Sequence, residues 1–183
     1  VIVPAQSTLT GLSFPDAEHG WAVGHDATIL ATRDHGRRWT LQHFDAEGGK
    51  ALLNVFFTDA LKGYAVGTFG LFLVTDDGGN TWTELDAPAI RGESLHFNAL
   101  TKLADGNLLL VGEAGMLGIS SDGATWERLQ SPYEGSFFGV VPFGAKGAIA
   151  YGLRGNVYRT DDPRTGAWTA VDLQSKQSVF GAT

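Results

Sequence analysis

A repeat of roughly 43 residues, present four times, limits the possible folds of this chain more than any other feature. The tryptophans that mark the repeat are separated by 43, 44 and 42 residues, and a short apolar segment ending in glycine precedes each one. Because two separate landmarks keep nearly the same spacing in every copy, the chain is predicted to contain four copies of one structural unit. The tryptophans are Trp39, Trp82, Trp126 and Trp168, and the segments read WAVG (21–24), YAVG (64–67), LLVG (109–112) and IAYG (149–152).

Each repeat is predicted to form four short strands, and the second copy illustrates the pattern. LLNVFF (52–57) is rich in apolar and aromatic residues, and GYAVG (63–67) is a short apolar run bounded by glycines. GLFLVT (70–75) leads through a tight turn into TWTEL (81–85), whose alternation indicates a more exposed strand. Four strands in about 40–45 residues is the spacing of a β-propeller blade. Since no segment carries a sustained helical period, few helices are expected.

The predicted fold is therefore all-β: a β-propeller segment with four complete four-stranded blades and partial strands at both ends. The N-terminal VIVP (1–4) matches the end of a repeat, and QSVFGAT (177–183) resembles GSFFGVV (135–141), the first strand of the fourth repeat. We expect either a longer parent protein or self-association with a second copy, because unpaired blade edges can pair with another chain. The blades are expected at approximately 9–45, 52–88, 97–132 and 136–173 of a single segment spanning 1–183.

The turn between the third and fourth strands has a similar composition in every repeat. It reads TRDHGRRW (32–39), TDDGGNTW (75–82), SSDGATW (120–126) and TDDPRTGAW (160–168), which resembles the Asp-box S/T-x-D-x-G-x-x-W of bacterial-neuraminidase-type repeats. Aspartate can accept hydrogen bonds from nearby backbone N–H groups, and glycine permits a positive φ. Because the same turn occupies the same position in each unit, we interpret it as scaffold rather than as a site of chemistry. The residues assigned this structural role are Asp34, Trp39, Asp77, Gly79, Trp82, Asp122, Trp126, Asp162 and Trp168.

The composition argues against several classes of function. The net charge of −7 is opposite in sign to the basic face that nucleic-acid binding requires, so no nucleic-acid partner is expected. The absence of cysteine excludes disulfides, cysteine-based metal sites and thiol catalysis. The sequence contains no run of about 18 apolar residues, so the chain is not expected to span a membrane.

Candidate binding residues lie in loops that differ between the repeats, because propeller function usually lies at the mouth of the channel. These loops connect the second strand of a blade to the third, or link one blade to the next. The same residues can equally be ordinary solvated side chains, as most exposed charged residues are. The candidates are Arg91, Glu93, His96, Glu113, Tyr133, Glu134 and Arg154.

The sequence predicts no catalytic set, metal site or cofactor. A sialidase needs a tyrosine nucleophile and an arginine cluster, but only Arg91 and Arg154 fall in loops at the mouth. Asp26 with Glu113 or Glu134 is a conceivable pair of carboxylates of the kind that other glycosidases use. The five histidines (19, 25, 35, 43 and 96) lack metal-ligand spacing, and no phosphate-binding loop, nucleophile elbow or HExxH motif is present.

The framework of the first two repeats resembles the propeller family of photosystem II assembly and stability factors. The stretches 12–39 and 55–82 share F-x-D-x-x-x-G-[WY]-A-V-G, a short loop, an apolar strand and the Asp-box. The resemblance implies a seven-bladed, non-enzymatic propeller in the bacterial periplasm or the thylakoid lumen, which binds membrane-protein partners. It also implies an arginine-rich surface patch, and Arg33, Arg37 and Arg38 cluster near the first Asp-box of this net acidic chain.

Two functions from different classes follow from these observations. The favoured hypothesis is a non-catalytic, extracytoplasmic binding or assembly factor that engages a protein partner, such as a subunit of a membrane complex, through its mouth loops. It rests on the family resemblance and on the missing catalytic set. The alternative is a carbohydrate-active enzyme, sialidase-like or another glycoside hydrolase, with catalytic residues partly outside this chain.

Overall fold

The chain folds into four antiparallel sheets of four strands each, and within every sheet the strands follow one another in sequence order. The structure, a computed structural model, describes residues 7–91 and 95–182, so the candidate Glu93 lies outside the described residues. Helical structure within these ranges is limited to three-residue turns at Thr68–Gly70, Leu153–Gly155 and Pro163–Thr165. The predicted all-β fold of four-stranded blades is confirmed. The chain divides into two compact units, 1–86 and 87–183, each with two blades.

The first unit contains blades 1 and 2. The strands of the second repeat lie close to their predicted positions, but the third begins at Phe72 because Leu71 closes the preceding turn, its N–H donating to the Thr68 carbonyl at 3.1 Å. The fourth is reduced to two residues. Blade 1 comprises β1 (Leu9–Ser13), β2 (Gly20–Gly24), β3 (Ile29–Thr32) and β4 (Thr40–His43), and blade 2 comprises β5 (Leu52–Phe57), β6 (Gly63–Gly67), β7 (Phe72–Thr75) and β8 (Thr83–Glu84).

The second unit contains blades 3 and 4, which repeat the same order of strands. In both blades the second strand is almost fully buried, whereas the two-residue fourth strand is exposed. Blade 3 comprises β9 (Phe97–Lys102), β10 (Leu108–Gly112), β11 (Leu117–Ser120) and β12 (Glu127–Arg128), and blade 4 comprises β13 (Phe137–Phe143), β14 (Gly147–Gly152), β15 (Val157–Thr160) and β16 (Thr169–Ala170).

In the first unit, the core joins blade 1 to blade 2 through a stack of aromatic rings. The indole of Trp21 on β2 is 1% exposed and stacks on Phe57 of β5, with ring centroids 3.5 Å apart. Phe57 in turn meets Trp82 edge-on at 5.8 Å, so the tryptophan that marks the second repeat packs against this core. The side chain of Gln42 on β4 accepts a hydrogen bond from the Trp21 indole and donates one to the Gly78 carbonyl of blade 2.

In the second unit, the equivalent core lies between blades 3 and 4 and is mainly aliphatic. Leu109 and Val111 of β10 pack with Phe137 and Val140 of β13, and Trp168 is partly buried against the same cluster. The innermost strands are also joined by a polar contact, because the Asn98 amide donates to the Phe137 carbonyl at 2.7 Å. The first unit makes the equivalent contact from Thr10 to the Leu52 carbonyl at 2.6 Å.

The glycine that ends each landmark segment is required by a close approach of two backbones. In every blade this glycine ends the second strand, and it lies beside the residue that directly precedes the innermost strand. A Cβ atom at this glycine would overlap a backbone carbonyl oxygen, which no side-chain movement can relieve. The four pairs are Gly24 with Thr8, Gly67 with Ala51, Gly112 with His96 and Gly152 with Ser136.

Candidate functional site

Within each unit, the turns between the second and third strands lie at the same edge as the segment linking the two blades. In the first unit, the Asp45 N–H donates to the Asp26 carbonyl at 2.8 Å, and the Ala27 N–H donates to the Lys50 carbonyl at 2.9 Å. In the second, the Gly115 N–H donates to the Gly135 carbonyl at 2.8 Å. We call this edge the mouth edge of a unit, because it carries both sets of loops in which binding residues are predicted.

The turns at the mouth edge share one geometry but present different side chains. Both central residues of each turn have positive φ, a conformation that usually favours glycine, asparagine or aspartate. The second central residue is glycine in blades 2, 3 and 4, whereas the first is never glycine. Since the backbone geometry is constant, the side chain at the first position distinguishes one blade from another. These residues are Asp26, Phe69, Ala114 and Arg154, with φ of 56°, 54°, 48° and 59°.

The Asp-box turns lie at the opposite edge, because successive turns of an up-and-down sheet alternate between its two ends. In blade 2, the buried hydroxyl of Thr75 donates to Asp77 at 2.8 Å and accepts from the Gly79 N–H at 2.9 Å. Asp77 also accepts from the backbone N–H of Thr81 at 2.9 Å and from its hydroxyl at 2.6 Å. Gly79 has a φ of +80°, as the turn requires. The hydroxyl of Thr75 and the carboxylate of Asp77 therefore bond within the turn itself.

The other Asp-boxes repeat this arrangement with variations that follow their lengths. Asp34 accepts from the Arg38 N–H at 2.8 Å, and in the shorter third turn Asp122 accepts from the N–H groups of Ala124 and Thr125. In the longer fourth turn, the Thr160 hydroxyl donates to the Ala167 carbonyl, and Asp162 instead accepts from the Arg164 N–H and pairs with Lys146.

These hydrogen bonds favour the ionised form of each Asp-box carboxyl. The hydroxyl and N–H of Thr81, with the Thr75 hydroxyl, lower the pKa of Asp77 to about 2. The N–H groups of Thr125 and Ala124 hold the pKa of Asp122 well below its usual range. The N–H of Arg38 lowers the pKa of Asp34, and the Lys146 ammonium lowers that of Asp162.

We expect Asp77→Asn to reduce the fall in the free energy of unfolding that occurs when the pH is lowered. An unfolded aspartate has a pKa of about 3.9, so the contribution of ionised Asp77 is fully present above that value. It is lost as the pH falls through the folded pKa of about 2. Urea unfolding at intervals between about pH 2 and pH 7 measures how steeply the free energy of unfolding changes with pH. Asp76→Asn, at the exposed neighbouring position, is the matched control and should keep the slope of the unchanged protein. Equal slopes for both variants would contradict the scaffold role.

The arginine cluster lies at the Asp-box edge of blade 1, opposite the mouth edge of that blade. Arg33, Arg37 and Arg38 are all exposed, and Arg38 pairs with Asp34 through an Nε–Oδ2 distance of 3.2 Å. Arg33, Arg38 and Asp34 line a shallow hollow of about 180 Å³. One of the three cations is thus engaged by the scaffold, and the arginine-rich patch that the family resemblance implies stays a prediction.

Two of the predicted binding residues meet at the mouth edge of the second unit. Glu113 Oε2 accepts the His96 backbone N–H at 3.1 Å and lies 3.5 Å from His96 Nδ1, and the Glu113 N–H donates to the His96 carbonyl. Both side chains are about one-third exposed, at 29% and 37%. This contact fixes the turn of blade 3 to the start of β9 and leaves both polar groups open to solvent.

The remaining described candidates occupy different environments. Tyr133 packs edge-on against Phe137 at 5.6 Å and stacks with Tyr158 at 6.0 Å, so most of its ring belongs to the core between blades 3 and 4. Glu134 follows it directly and is exposed. Arg154 is also exposed, and its backbone N–H donates to the Ser178 hydroxyl at 3.2 Å. Arg91 is exposed at the end of a turn that begins at Ala87. Their binding roles stay predictions.

The carboxylates considered for glycoside hydrolysis already have partners or lie in different units. Asp26 accepts a hydrogen bond from the Ser7 hydroxyl at 2.7 Å in the first unit, whereas Glu113 and Glu134 belong to the second. Within residues 7–91 and 95–182, no group of three or more histidine, aspartate or glutamate side chains is placed to hold a metal ion.

The mouth edge of the first unit contains a cavity that the sequence analysis did not identify. It has a volume of about 320 Å³ and lies between the segment after β4 and the outer strands β7 and β8. The sequence feature that relates to this cavity is the position two residues after each repeat tryptophan, where the residue type differs between the blades. The four residues there are Leu41, Glu84, Arg128 and Ala170, and Glu84 lines the cavity. The lining residues are Ala27, His43, Asp45, Gly48, Lys50, Leu71, Leu73, Trp82 and Glu84.

No helix in the described part of the chain has the length and apolar character needed to cross a bilayer.

A family model described as photosynthesis system II assembly factor YCF48 matches residues 45–180. The photosystem II assembly protein Ycf48 of Thermosynechococcus vestitus is 46% identical over 37 residues, which is 20% of this chain and 11% of that protein. The match thus spans about a tenth of the length of this curated relative.

Two solved structures show where the same fold occurs. The structure of YCF48 bound to a D1 peptide has a TM-score of 0.55 at 15% identity, covering 96% of this chain and 71% of that one. The GH74 xyloglucanase of Xanthomonas campestris has a TM-score of 0.66 at 16% identity, covering 86% of this chain and 29% of the enzyme. At this level of identity, both likenesses establish the fold alone.

Proposed function

We propose that this chain, which belongs to the photosynthesis system II assembly factor YCF48 family, binds a protein partner during the assembly or stabilisation of a membrane complex. The observation that carries the proposal is the family match over residues 45–180, about three quarters of the chain. The same match confirms the resemblance drawn from the repeats. Catalysis is not part of the proposed role, since neither the mouth edges nor the Asp-boxes bring together a recognisable set of reacting groups in the described residues.

The kind of partner is proposed from the relatives. YCF48 has been seen with a D1 peptide bound, which shows that a propeller of this family can hold a segment of another protein. We extend this mode of action to the present chain and propose a peptide segment of a membrane-complex subunit as its ligand. We also propose an extracytoplasmic location, because the family resemblance implies the periplasm or the thylakoid lumen.

The mouth edges are the surfaces we propose for this contact. Their backbone is rigidly specified by the repeated turns, while their side chains differ from blade to blade, as specific recognition by a repeat scaffold requires. The second unit offers His96, Glu134 and Arg154 as partly or fully exposed polar groups at this edge. The first unit offers Phe44 and Phe69, which are 49% and 52% exposed.

We expect the tagged protein, returned to its native host, to recover subunits of one membrane complex from detergent-solubilised membranes. Combined alanine substitution of His96, Glu134 and Arg154 should reduce that recovery at least about tenfold, because a few residues usually carry most of the binding energy. Substituting Glu127 and Arg164, which pair with each other near the Asp-box edge of the same unit, is the matched control. Quantitative mass spectrometry gives the measurement. If both variants recovered the same amount of the complex, the proposed contact at this edge would be wrong.

The carbohydrate-active alternative has a direct test. A panel of aryl glycosides and sialosides should show no turnover by the same preparation. Turnover that disappears on Glu113→Gln or Glu134→Gln would establish hydrolysis and overturn the proposed role, because a catalytic carboxylate cannot be replaced by an amide. The likeness to the xyloglucanase is not an argument for activity here, since it concerns the fold.

A further inference from the structure

An aspartate directly followed by a glycine occurs three times in this chain, at 77–78, 105–106 and 122–123. This dipeptide is chemically labile, because glycine has no side chain to hinder its backbone nitrogen when that nitrogen approaches the aspartate carboxyl carbon. The first and third pairs lie in Asp-box turns, whereas the second lies in the hairpin turn between β9 and β10. The three pairs therefore differ in their surroundings and not in their chemistry.

The first pair is enclosed in the Asp-box of blade 2. The Asp77 carboxylate accepts the Thr75 hydroxyl at 2.8 Å and the Thr81 N–H at 2.9 Å. Gly78 is buried, and its N–H donates to the Leu61 carbonyl at 2.8 Å. A Cβ atom at Gly78 would lie 2.9 Å from a backbone carbonyl oxygen, so little space surrounds it. The carboxyl carbon can approach the Gly78 nitrogen only if the turn loses its own contacts and the one to Leu61.

The third pair is held in a similar way in the Asp-box of blade 3. Asp122 Oδ1 accepts the Ser120 hydroxyl at 3.0 Å and the N–H groups of Ala124 and Thr125 at 2.8 and 2.7 Å. Gly123 is buried, and its N–H donates to the Ser120 hydroxyl at 2.8 Å. Both the carboxylate and the glycine nitrogen are thus fixed by the same turn.

The hydrogen bonds of these two turns also keep their carboxyl groups ionised. They lower the pKa of Asp77 to about 2 and hold the pKa of Asp122 well below its usual range. An ionised carboxylate is a poor target for an attacking nitrogen, because it has no oxygen that can leave as water without first gaining a proton. Ionisation therefore adds to the protection that enclosure gives.

The second pair lies at the open tip of its hairpin. Asp105 is exposed, and its carboxylate accepts the backbone N–H of Asn107 at 3.0 Å and the side-chain amide of Asn107 at 2.7 Å. A Cβ atom at Gly106, whose φ is +94°, would meet nothing within 4 Å. The Gly106 N–H donates to the Leu103 carbonyl at 3.0 Å. Because these partners all belong to the same turn, one local opening of the turn releases both the carboxylate and the nitrogen.

We propose that Asp105 is a site of spontaneous isomerisation to isoaspartate in the folded protein. The Gly106 nitrogen bonds to Asp105 Cγ, and the N–H proton leaves with the carboxyl OH as water, which closes a succinimide ring. A second water opens the ring at either carbonyl. Opening at Cγ restores aspartate, whereas opening at the main-chain carbonyl of Asp105 leaves Gly106 attached through Cγ. The sequence of steps needs no oxidant, reductant or enzyme.

The product alters the turn and leaves the mouth edge unchanged. Isoaspartate carries its Cβ in the main chain, so the backbone between Leu103 and Asn107 becomes longer. The hydrogen bond from the Leu103 N–H to the Asn107 carbonyl, at 2.8 Å, closes the unmodified turn and should weaken in the product. Since turns between the first and second strands of a blade lie at the Asp-box edge, this inference is independent of the proposed function.

The test compares the three pairs in the folded 183-residue chain after several weeks at near-neutral pH. Trypsin places the second and third pairs in one peptide, 103–128, and the first pair in the peptide 63–91. Electron-transfer fragmentation distinguishes isoaspartate from aspartate, and incubation in H₂¹⁸O shows that water opened a ring. We expect isoaspartate at Asp105 to exceed that at Asp77 and Asp122 at least about tenfold, which corresponds to about 1.4 kcal/mol in the free energy of local opening.

The unfolded chain is the control for the intrinsic reactivity of each pair. In urea at the same pH, the three pairs should convert at similar rates, because their different surroundings are lost. Equal amounts of isoaspartate at the three sites of the folded chain would overturn the proposal. So would a folded chain that forms no isoaspartate at Asp105 while the chain in urea does.

Two variants test the ring itself. Asp105→Glu keeps the negative charge but requires a larger ring, so the isomerised product at this position should disappear. Asp105→Asn reaches the same succinimide by loss of ammonia, and it should convert faster than the aspartate, because an amide needs no proton on a carboxylate before its group leaves. An Asp105→Asn chain that deamidates in urea but stays unchanged when folded would show that the turn does not open, and would overturn the proposal.

Discussion

Replacing Trp21 with alanine is expected to lower the free energy of unfolding by about 3–5 kcal/mol. The indole is 1% exposed and stacks on Phe57 with ring centroids 3.5 Å apart, so its removal leaves a cavity between blades 1 and 2. The variant also takes away the hydrogen bond to Gln42 Oε1, whose amide donates to Gly78 of the neighbouring blade. Urea unfolding followed by circular dichroism gives the change, because a shift in midpoint at constant slope reports stability.

Phe180→Ala is the control for this effect, since it also removes a large aromatic ring. Phe180 is 78% exposed and stacks on Phe138 at 5.0 Å, so we expect a loss of less than about 1 kcal/mol. If Trp21→Ala is too unstable to purify, Trp21→Phe keeps a ring in the stack and should give a smaller but measurable loss. A change below about 1 kcal/mol for Trp21→Ala would contradict the assigned role of the stack.

The strand pattern could be predicted from the sequence because the second repeat follows simple chemical rules. β5 and β6 lie at the predicted positions, where apolar runs are bounded by turn residues. The Asp-box was interpreted as scaffold because a serine or threonine and an aspartate recur at one place in each repeat. In blade 2 the Thr75 hydroxyl donates to Asp77 and accepts the Gly79 N–H, and Asp77 accepts the Thr81 N–H, so both side chains bond within the turn. The scaffold role of the box stays a prediction.

The turns at the mouth edge were not predictable in detail, because their backbone does not follow residue preferences. Asp26, Phe69, Ala114 and Arg154 all adopt positive φ, and only the aspartate is a residue type that commonly does so. Hydrogen bonds from the turn to the adjacent backbone stabilise this geometry, which the conformational preferences of the residues themselves do not favour. Examples are the N–H of His25 to the Thr8 carbonyl at 3.0 Å and its equivalents in the other blades.

The candidate site was predicted only in part, because a single sequence gives loop residues without their neighbours. The contact between His96 and Glu113 joins two residues 17 positions apart and has no local signal. Tyr133 lies in a linker by sequence, yet its ring packs into the aromatic cluster around Phe137. The cavity lined by Asp45, Glu84 and their neighbours brings together residues from segments that are up to 57 positions apart in the sequence, from Ala27 to Glu84.

Gly67→Ala is expected to destabilise the first unit by about 3 kcal/mol, the upper end of the usual cost of overpacking. Its φ of −169° is open to any residue, so the cost arises from the close approach and not from backbone conformation. A Cβ atom would overlap the Ala51 carbonyl oxygen, which accepts the Thr68 N–H at 2.9 Å, and would lie 2.8 Å from Leu52 Cα. Gly181→Ala is the control, because a Cβ there meets nothing within 4 Å. If Gly67→Ala left the free energy of unfolding unchanged, the recurrence of this glycine in the four repeats would have another cause.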